Sequence, residues 1–257
     1  MIDTAVIPAA GHGLRMRPLT SVVPKEMFPL GRSALIEYTI RELLDSGITR
    51  ICVVIRKGKE AIKEYLLWRK KSFNEVELYF AYQKAPLGLG DAIRRAKDFI
   101  RGVPFVMAIP DQILLSETPA TRQLLDTYNR ADAIWNSMVR IPHDEKNFFK
   151  GSRAFTYKTA GQNVWIIEDI VPDEISEIRG FGRTVYIPEA LEFMTREYIN
   201  DKTGEVDLLK TFQALKDRVP LFGTMLKGRP CDLGTWEGYY YYQALIRRVL
   251  DSDERFL

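Results

Sequence analysis

A run near the N-terminus, Ala9-Ala10-Gly11-His12-Gly13-Leu14-Arg15-Met16-Arg17-Pro18, followed by Pro24-Lys25-Glu26, carries the residue types that a phosphate group needs. Glycines placed directly after a strand let backbone N–H groups approach phosphate oxygens with no Cβ in the way. Arg15 and Lys25 add two cations, which suits a polyphosphate whose leaving pyrophosphate gains charge. Taken alone, the glycine pair describes a tight turn with surface cations equally well. A dinucleotide fingerprint would need a third glycine where Met16 stands, and no GxxxxGK[ST] run is present.

Two aspartates have the right setting for a divalent cation. Asp111 follows Pro110 at the end of an apolar strand, and Asp232 sits in Cys231-Asp232-Leu233-Gly234 before a helix. Magnesium typically takes one or two carboxylates plus substrate phosphates. Either residue also reads as a turn or N-cap aspartate, and a shared metal requires the fold to bring them together. A third feature, Gln83-Lys84-Ala85-Pro86-Leu87-Gly88-Leu89-Gly90, follows one strand and opens a helix. Gln83 offers a donor and an acceptor to the edge of a nucleobase, and Gly88 leaves room for a flat ring. His12 and His143 have no serine or cysteine in a nucleophile-elbow context, which argues against a hydrolase triad.

The elements that must position these residues alternate. Apolar runs at Thr4–Pro8, Ile48–Ile55, Val76–Tyr82, Val103–Ile109 and Ala131–Val139 predict strands. Helical patterns separate them: one over Leu35–Leu44 with Ser33 as N-cap and Gly47 as its stop, then Lys59–Trp68, Gly90–Ile100 and Pro119–Asn129. Such repetition implies a mainly parallel sheet flanked by helices on both faces, a Rossmann-like α/β fold. Ligands bind such sheets outside the carboxyl ends of the strands, so the loops after Pro8, Tyr82 and Ile109 fall on one rim. After residue 140 the pattern loosens into a smaller antiparallel portion: strands at Phe155–Tyr157 and Val164–Ile167, then Arg183–Ile187 and Leu221–Leu226. Helices are expected over Pro188–Tyr198, Glu205–Lys216 and Trp236–Leu250. One domain spanning 1–257 is expected, with a nucleotide-binding half (1–140) and a lid-like half (141–257).

Composition narrows the partners. The chain is 46% hydrophobic and 28% charged, which suffices for a buried core. Its net charge of +3 is spread along the sequence, without the basic stripe of a nucleic-acid binder. Cys52 and Cys231 belong to no CxxC pattern, so neither a disulfide framework nor zinc is indicated. No apolar run reaches a membrane span and no signal-peptide pattern begins the chain, so a cytoplasmic location is expected.

Together these motifs resemble the sugar-1-phosphate nucleotidyltransferase family, most closely its bacterial UTP–glucose-1-phosphate uridylyltransferases. The carrying residues are Ile7-Pro8-Ala9-Ala10-Gly11, Gly11-His12-Gly13-Leu14-Arg15 (the family usually has Thr at Leu14), and Pro24-Lys25-Glu26-Met27. Gln83 with Gly88-Leu89-Gly90, Pro110-Asp111, Gly182-Arg183-Thr184-Val185-Tyr186, Gly204-Glu205-Val206 and Asp232-Leu233-Gly234 match in order and spacing. The resemblance implies a glycosyltransferase-A-like fold and transfer of a nucleotidyl group from an NTP, UTP favoured, to a sugar 1-phosphate, glucose 1-phosphate favoured. It assigns Arg15, Lys25 and Asp111 to catalysis and Mg²⁺ to Asp111 and Asp232. Ala9, Ala10, Gly11, Gly13, Arg15, Lys25, Gln83 and Gly88 would hold the nucleotide, and Glu168 and Gly151 the sugar phosphate. Relatives are commonly homo-oligomers, and the aromatic helix around Tyr239–Tyr242 is the expected contact.

The acceptor half departs from the family pattern. The family usually carries Glu-Lys-Pro where Glu168-Asp169-Ile170 stands, so an anion occupies the position of the phosphate-binding lysine. Lys150, Arg153 and Arg179 are the candidate replacements. A non-catalytic or altered-acceptor relative that binds a nucleotide or sugar nucleotide is the alternative reading.

Overall fold

The computed structural model describes residues 2–73, 76–129, 132–149, 154–171, 177–200, 204–206 and 208–250. In chain order the strands are β1 (Thr4–Pro8), β2 (Pro29–Leu30), β3 (Ser33–Ala34), β4 (Arg50–Ile55), β5 (Glu77–Tyr82), β6 (Phe105–Ala108) and β7 (Gln112–Leu115). They continue as β8 (Ile134–Arg140), β9 (Ala154–Gly161), β10 (Val164–Val171), β11 (Ile178–Tyr186), β12 (Leu221–Met225) and β13 (Arg229–Asp232). The helices are α1 (Leu35–Asp45), α2 (Glu60–Arg69), α3 (Leu89–Arg94), α4 (Lys97–Ile100), α5 (Ala120–Thr127), α6 (Leu208–Leu215) and α7 (Trp236–Leu250).

Nine strands form one sheet in the order β5-β4-β1-β6-β11-β8-β12-β10-β9. The first four are mutually parallel; β11 runs antiparallel to both β6 and β8. This is the expected mainly parallel sheet with an antiparallel portion, and strands from both halves of the chain share it.

Strand alternation divides the apolar residues between two helical layers. Ile7, Ile51, Val53 and Val106 face one way, against Ile36 and Ile40 of α1 and Ile62 of α2. Val6, Cys52, Val54 and Met107 face the other way, against Ile93 of α3, Ile100 of α4 and Phe212 of α6. Both faces are covered, as a parallel sheet requires. A third cluster fastens α7 beneath the glycine loop, with Tyr239, Tyr242 and Ile246 packed near Met16, Phe28 and Leu233. Of the four-residue aromatic run, Tyr239 and Tyr242 are buried while Tyr240 and Tyr241 are exposed, so it packs through one side.

Three local expectations are corrected, and one long-range pairing is new. Ser33 is not an N-cap: it pairs with Leu30 in the β2–β3 hairpin, and Ala34 precedes the helix without a side-chain cap. The helix expected over Gly90–Ile100 breaks at 95–96 into α3 and α4, which lets Ile93, Ala96 and Ile100 all reach the sheet. Pro188–Tyr198 forms two 3₁₀ turns, Pro188–Glu192 and Arg196–Tyr198, rather than an α-helix, with Ala190, Leu191 and Met194 buried along it. The ribbon of β7 and β13 was not anticipated. It pairs Gln112 with Asp232, across 120 residues of sequence.

Candidate active site

The glycine loop leaves β1 at the carboxyl edge of the sheet. Ala9 donates its N–H to the Val54 carbonyl (2.8 Å), and both Ala9 and Ala10 are buried. Gly13 takes a left-handed conformation (φ 65°), which glycine adopts without strain. A Cβ on Gly11 would meet nothing within 4 Å, so its backbone faces open space. Lys59, which the sequence placed only at a helix start, joins this loop to the next. Its buried ammonium donates to the Ala9 carbonyl (2.8 Å) and to both carboxylate oxygens of Glu26 (2.9 and 2.8 Å). Burial, then the charges of Arg56, Arg17 and Lys59, hold His12 below the usual histidine range. The loop is therefore electropositive beyond Arg15 and Lys25, as a polyphosphate site should be.

The β7–β13 ribbon brings Asp111 and Asp232 together. Leu233 donates its N–H to the Asp111 carbonyl (2.8 Å), and both aspartates are buried. Gly234 measures their proximity: a Cβ there would lie 2.7 Å from Asp111 Oδ2, 2.9 Å from Asp232 Oδ1 and 3.1 Å from Arg15 Nη2. The Lys25 ammonium pairs directly with Asp111 Oδ2. Burial opposes the charged form of Asp111, but Lys25 and then Arg15 bring its carboxyl below the ordinary range. Asp232 goes the other way, pushed up to about 6 by burial and by the charge of Asp111. Two buried carboxylates that repel each other on the wall of a cavity fit a shared divalent cation. Among the described residues no cluster of three or more His, Cys, Asp or Glu is placed to hold a metal. A cation here would complete its shell from substrate phosphates, as magnesium does.

Around these aspartates runs a frame that the sequence did not show. Gln112 donates Nε2–H to Asp232 Oδ2 (3.0 Å) and accepts the Gly182 N–H at Oε1 (2.6 Å). Arg183 donates to the carbonyls of Ile109 (2.9 Å) and Gln112 (3.1 Å), gripping the chain on either side of Asp111. The same guanidinium pairs with Glu42 of α1. Gly182 permits the close approach, since a Cβ there would lie 2.6 Å from Ile109 Cβ.

Gln83 and Gly88 flank the cavity together. The Gln83 amide nitrogen donates to the Gly88 carbonyl (3.0 Å) and to Asp91 Oδ2 (2.8 Å). Both amide hydrogens are thereby used, and the group Gln83 presents is its carbonyl Oε1. The absent side chain of Gly88 accommodates the segment Glu205-Val206 rather than empty space: a Cβ would lie 2.7 Å from Glu205 Cβ. Val206 donates its N–H to Leu87 (2.6 Å), so the Gly204-Glu205-Val206 motif closes over the Gln83 loop.

Glycine loop, aspartates and Gln83 loop all line one cavity of about 680 Å³. Beyond the aspartates its wall includes Phe155, Ile170, Tyr186 and Phe212. Glu168 is not among the lining residues. It falls where the β9–β10 register shifts, and its exposed carboxylate pairs with Lys158 (2.9 Å). Asp169 lies outside the lining as well, paired with Lys216 (3.3 Å), so it does not set an anion against a bound phosphate. Arg179 is buried, donates to the Phe149 carbonyl (2.8 Å), and does not line the cavity. Gly151, Lys150 and Arg153 lie outside the described residues.

A mainly parallel sheet with a glycine loop, two cations and paired aspartates at one rim defines a phosphate-handling α/β transferase. The chain belongs to the nucleotidyl transferase family, whose family model matches residues 4–248. It is 30% identical to UTP–glucose-1-phosphate uridylyltransferase 1 of Streptococcus pyogenes serotype M3, over 93% of this chain and 86% of that one. It is 28% identical to UTP–glucose-1-phosphate uridylyltransferase of Bacillus subtilis, over 93% and 88%. A UDP-glucose pyrophosphorylase solved with UDP-glucose superposes with a TM-score of 0.86 at 22% identity, covering 96% of this chain and 99% of that chain. That structure speaks for the fold. The enzyme class, a sugar-1-phosphate nucleotidyltransferase, follows from the family and the uridylyltransferase relatives.

Proposed function

We propose that this chain transfers the uridylyl group of UTP to glucose 1-phosphate, releasing pyrophosphate and forming UDP-glucose. The observation that carries the reading is the meeting of Asp111, Asp232, Arg15 and Lys25 at the mouth of the glycine loop, in one cavity. An oxygen of the acceptor phosphate attacks the α-phosphorus as the bond to the bridging oxygen of pyrophosphate breaks. Such chemistry asks for positioning and charge neutralisation rather than a covalent nucleophile.

The glycine loop holds the triphosphate through backbone N–H groups, and Arg15 and Lys25 take up charge as pyrophosphate leaves. Asp111 and Asp232 would hold Mg²⁺, which would supply positive charge to offset that of the phosphates. Gln83 supports the choice of base. Its free carbonyl Oε1 complements the N3–H of uracil or thymine and repels the N3 lone pair of cytosine. The relatives' names favour UTP between the first two.

No helix among the described residues is long and apolar enough to cross a membrane. A cytoplasmic location is part of this reading, and the exposed Tyr240 and Tyr241 of α7 are the surface at which a homo-oligomer would meet. Pyrophosphate release is to be measured with Mg²⁺ for UTP, dTTP, CTP, ATP and GTP against glucose 1-phosphate and other phosphorylated sugars. UTP with glucose 1-phosphate is expected to lead and CTP to trail. Absence of turnover with every pair, alongside UTP binding, would leave a nucleotide-binding relative instead.

A further inference from the structure

Along β11, Gly180, Gly182, Thr184 and Tyr186 alternate onto one face, and all four line the cavity. Thr184 stands opposite Met107 of β6 on one side and Asn136 of β8 on the other. Those three residues make a row across the cavity floor, and each lines the cavity. Met107, Phe155, Ile170, Tyr186 and Phe212 make the surroundings of this row mostly apolar.

Two residues on this floor, Asn136 and Tyr186, keep a buried polar atom with no partner among the described residues, and the one at Asn136 is a pure donor in the row with Thr184. Asn136 is only 4% exposed, and its Oδ1 accepts the Thr184 hydroxyl (3.3 Å). Its Nδ2 is buried and meets no hydrogen-bond partner among the described residues. A buried amide donor with nothing to donate to is costly, and native proteins rarely keep one without a partner. With Oδ1 bonded to Thr184, the donor end of the amide is the one left over.

Strand order says which substrate would meet it. The loops that serve the nucleotide leave β1 and β5, and Asp111 follows β6. Asn136 lies on β8, two strands beyond β6 and away from β1. The acceptor, which attacks from the side opposite the departing pyrophosphate, belongs there.

We propose that Asn136 reads the acceptor. Its Nδ2 donates to one hydroxyl or ring oxygen of the sugar, Thr184 holds the amide in place, and the apolar floor takes the C–H edge of the ring. The assignment rests on the transferase reading above and makes Asn136 and Thr184 specificity-determining residues.

The test uses the full-length protein with UTP, glucose 1-phosphate and a series of monodeoxy glucose 1-phosphates. The wild type is expected to lose about tenfold or more in kcat/KM with one deoxy analogue, because a site built to bond a hydroxyl penalises its loss. In Asn136→Leu that penalty disappears and KM for glucose 1-phosphate rises about tenfold, while KM for UTP stays within about twofold. Thr184→Val gives the same pattern more weakly and serves if Asn136→Leu does not fold; UTP binding by calorimetry confirms the fold of each variant. An unchanged deoxy profile and acceptor KM in both variants overturns the assignment, as does a parallel rise in KM for UTP. Failure of the wild type to use any phosphorylated sugar overturns the transferase reading itself, and is distinct from turnover with an indifferent Asn136.

Discussion

The ammonium of Lys25 rests against the carboxylate of Asp111, 86 residues away in sequence. Burial would lower the Lys25 pKa, yet Asp111 and then Glu26 raise it, so the lysine stays charged beside the aspartate. Lys25 and a divalent cation therefore compete for Asp111, and the triphosphate offers the lysine another partner. Lys25→Met is expected to tighten Mg²⁺ binding to the protein without nucleotide by about tenfold, since one competitor is gone. The same change should lower turnover by about a hundredfold or more, because a cation aimed at developing charge is lost. Titration calorimetry and steady-state rates check the two halves. Weaker Mg²⁺ binding in the variant would show that Lys25 does not compete for the carboxylate.

Gly234 touches the same carboxylates from the other side. A methyl group there would press on Asp111 Oδ2 at 2.7 Å and Asp232 Oδ1 at 2.9 Å, both pinned by other bonds. Gly234→Ala should therefore spread the aspartates apart. The expected outcome is activity down about a hundredfold with unfolding stability changed by about 1 kcal/mol or less. A variant of near-normal activity would mean that the carboxylate spacing is not critical. Comparison of kcat/KM with a urea unfolding curve separates the effects.

Much of this was legible in the sequence for a physical reason. Alternating apolar runs of strand and helix length fix a parallel sheet, and the rule that ligands gather at strand carboxyl ends placed the loops after Pro8, Tyr82 and Ile109 on one rim. Those local signals held. The local misses were a cap at Ser33 and the helices expected over 90–100 and 188–198, where burial of Ala96, Ala190 and Leu191 shapes the backbone; the larger gaps were non-local. Nothing in Gln112–Leu115 or Arg229–Asp232 announces that the two segments pair, yet that ribbon is what unites Asp111 with Asp232. Lys59 reads only as a helix start, and Arg183 only as part of a matching motif without a role, because their partners, Glu26 and Glu42, lie 33 and 141 residues away. Glu168 was misdirected by position: a register shift between Ile167 and Asp169 leaves Ile167 and Ile170 buried and the acidic pair between them facing out.

Arg183 offers a test of the frame around Asp111. Its side chain is fully buried, bonded to Glu42 and to the carbonyls of Ile109, Gly182 and Gln112. Removing one member of a buried pair strands the other charge, at a cost of about 3–5 kcal/mol. Arg183→Met should show a loss toward the lower end of that range in chemical unfolding, because Glu42 loses its counter-charge but keeps its bonds from Thr121. Glu42→Gln should cost less, because its carboxylate is partly exposed and the carbonyl bonds of Arg183 survive. The double variant Glu42→Leu with Arg183→Met should recover part of the Arg183→Met loss. Strict additivity in that cycle would mean that the two residues do not act as a pair.

Acid stability turns on Glu37, a fully buried carboxylate on α1. It accepts hydrogen bonds from Arg41 (2.9 and 2.7 Å), Arg69 (3.0 and 2.8 Å) and Tyr65 (2.5 Å), and so ties α2 to α1. Burial alone would raise its pKa, but the bonds from Arg69, Tyr65 and Arg41 bring it down to about 2 from an ordinary 4.5. A carboxyl depressed in the folded state binds protons more weakly there than in the unfolded chain. Its contribution is therefore complete above pH 4.5 and is lost as pH falls toward 2. The loss amounts to about 2 kcal/mol, the size expected for such a displacement after allowance for the partly exposed arginines. Urea unfolding followed from pH 6 to pH 3 should show the wild type weakening through this window. Glu37→Gln should be less stable at pH 6 and flatter in its dependence on acid, because it has no proton to gain. Parallel curves for the two proteins would show that Glu37 contributes nothing to the acid response, and that other carboxylates carry it.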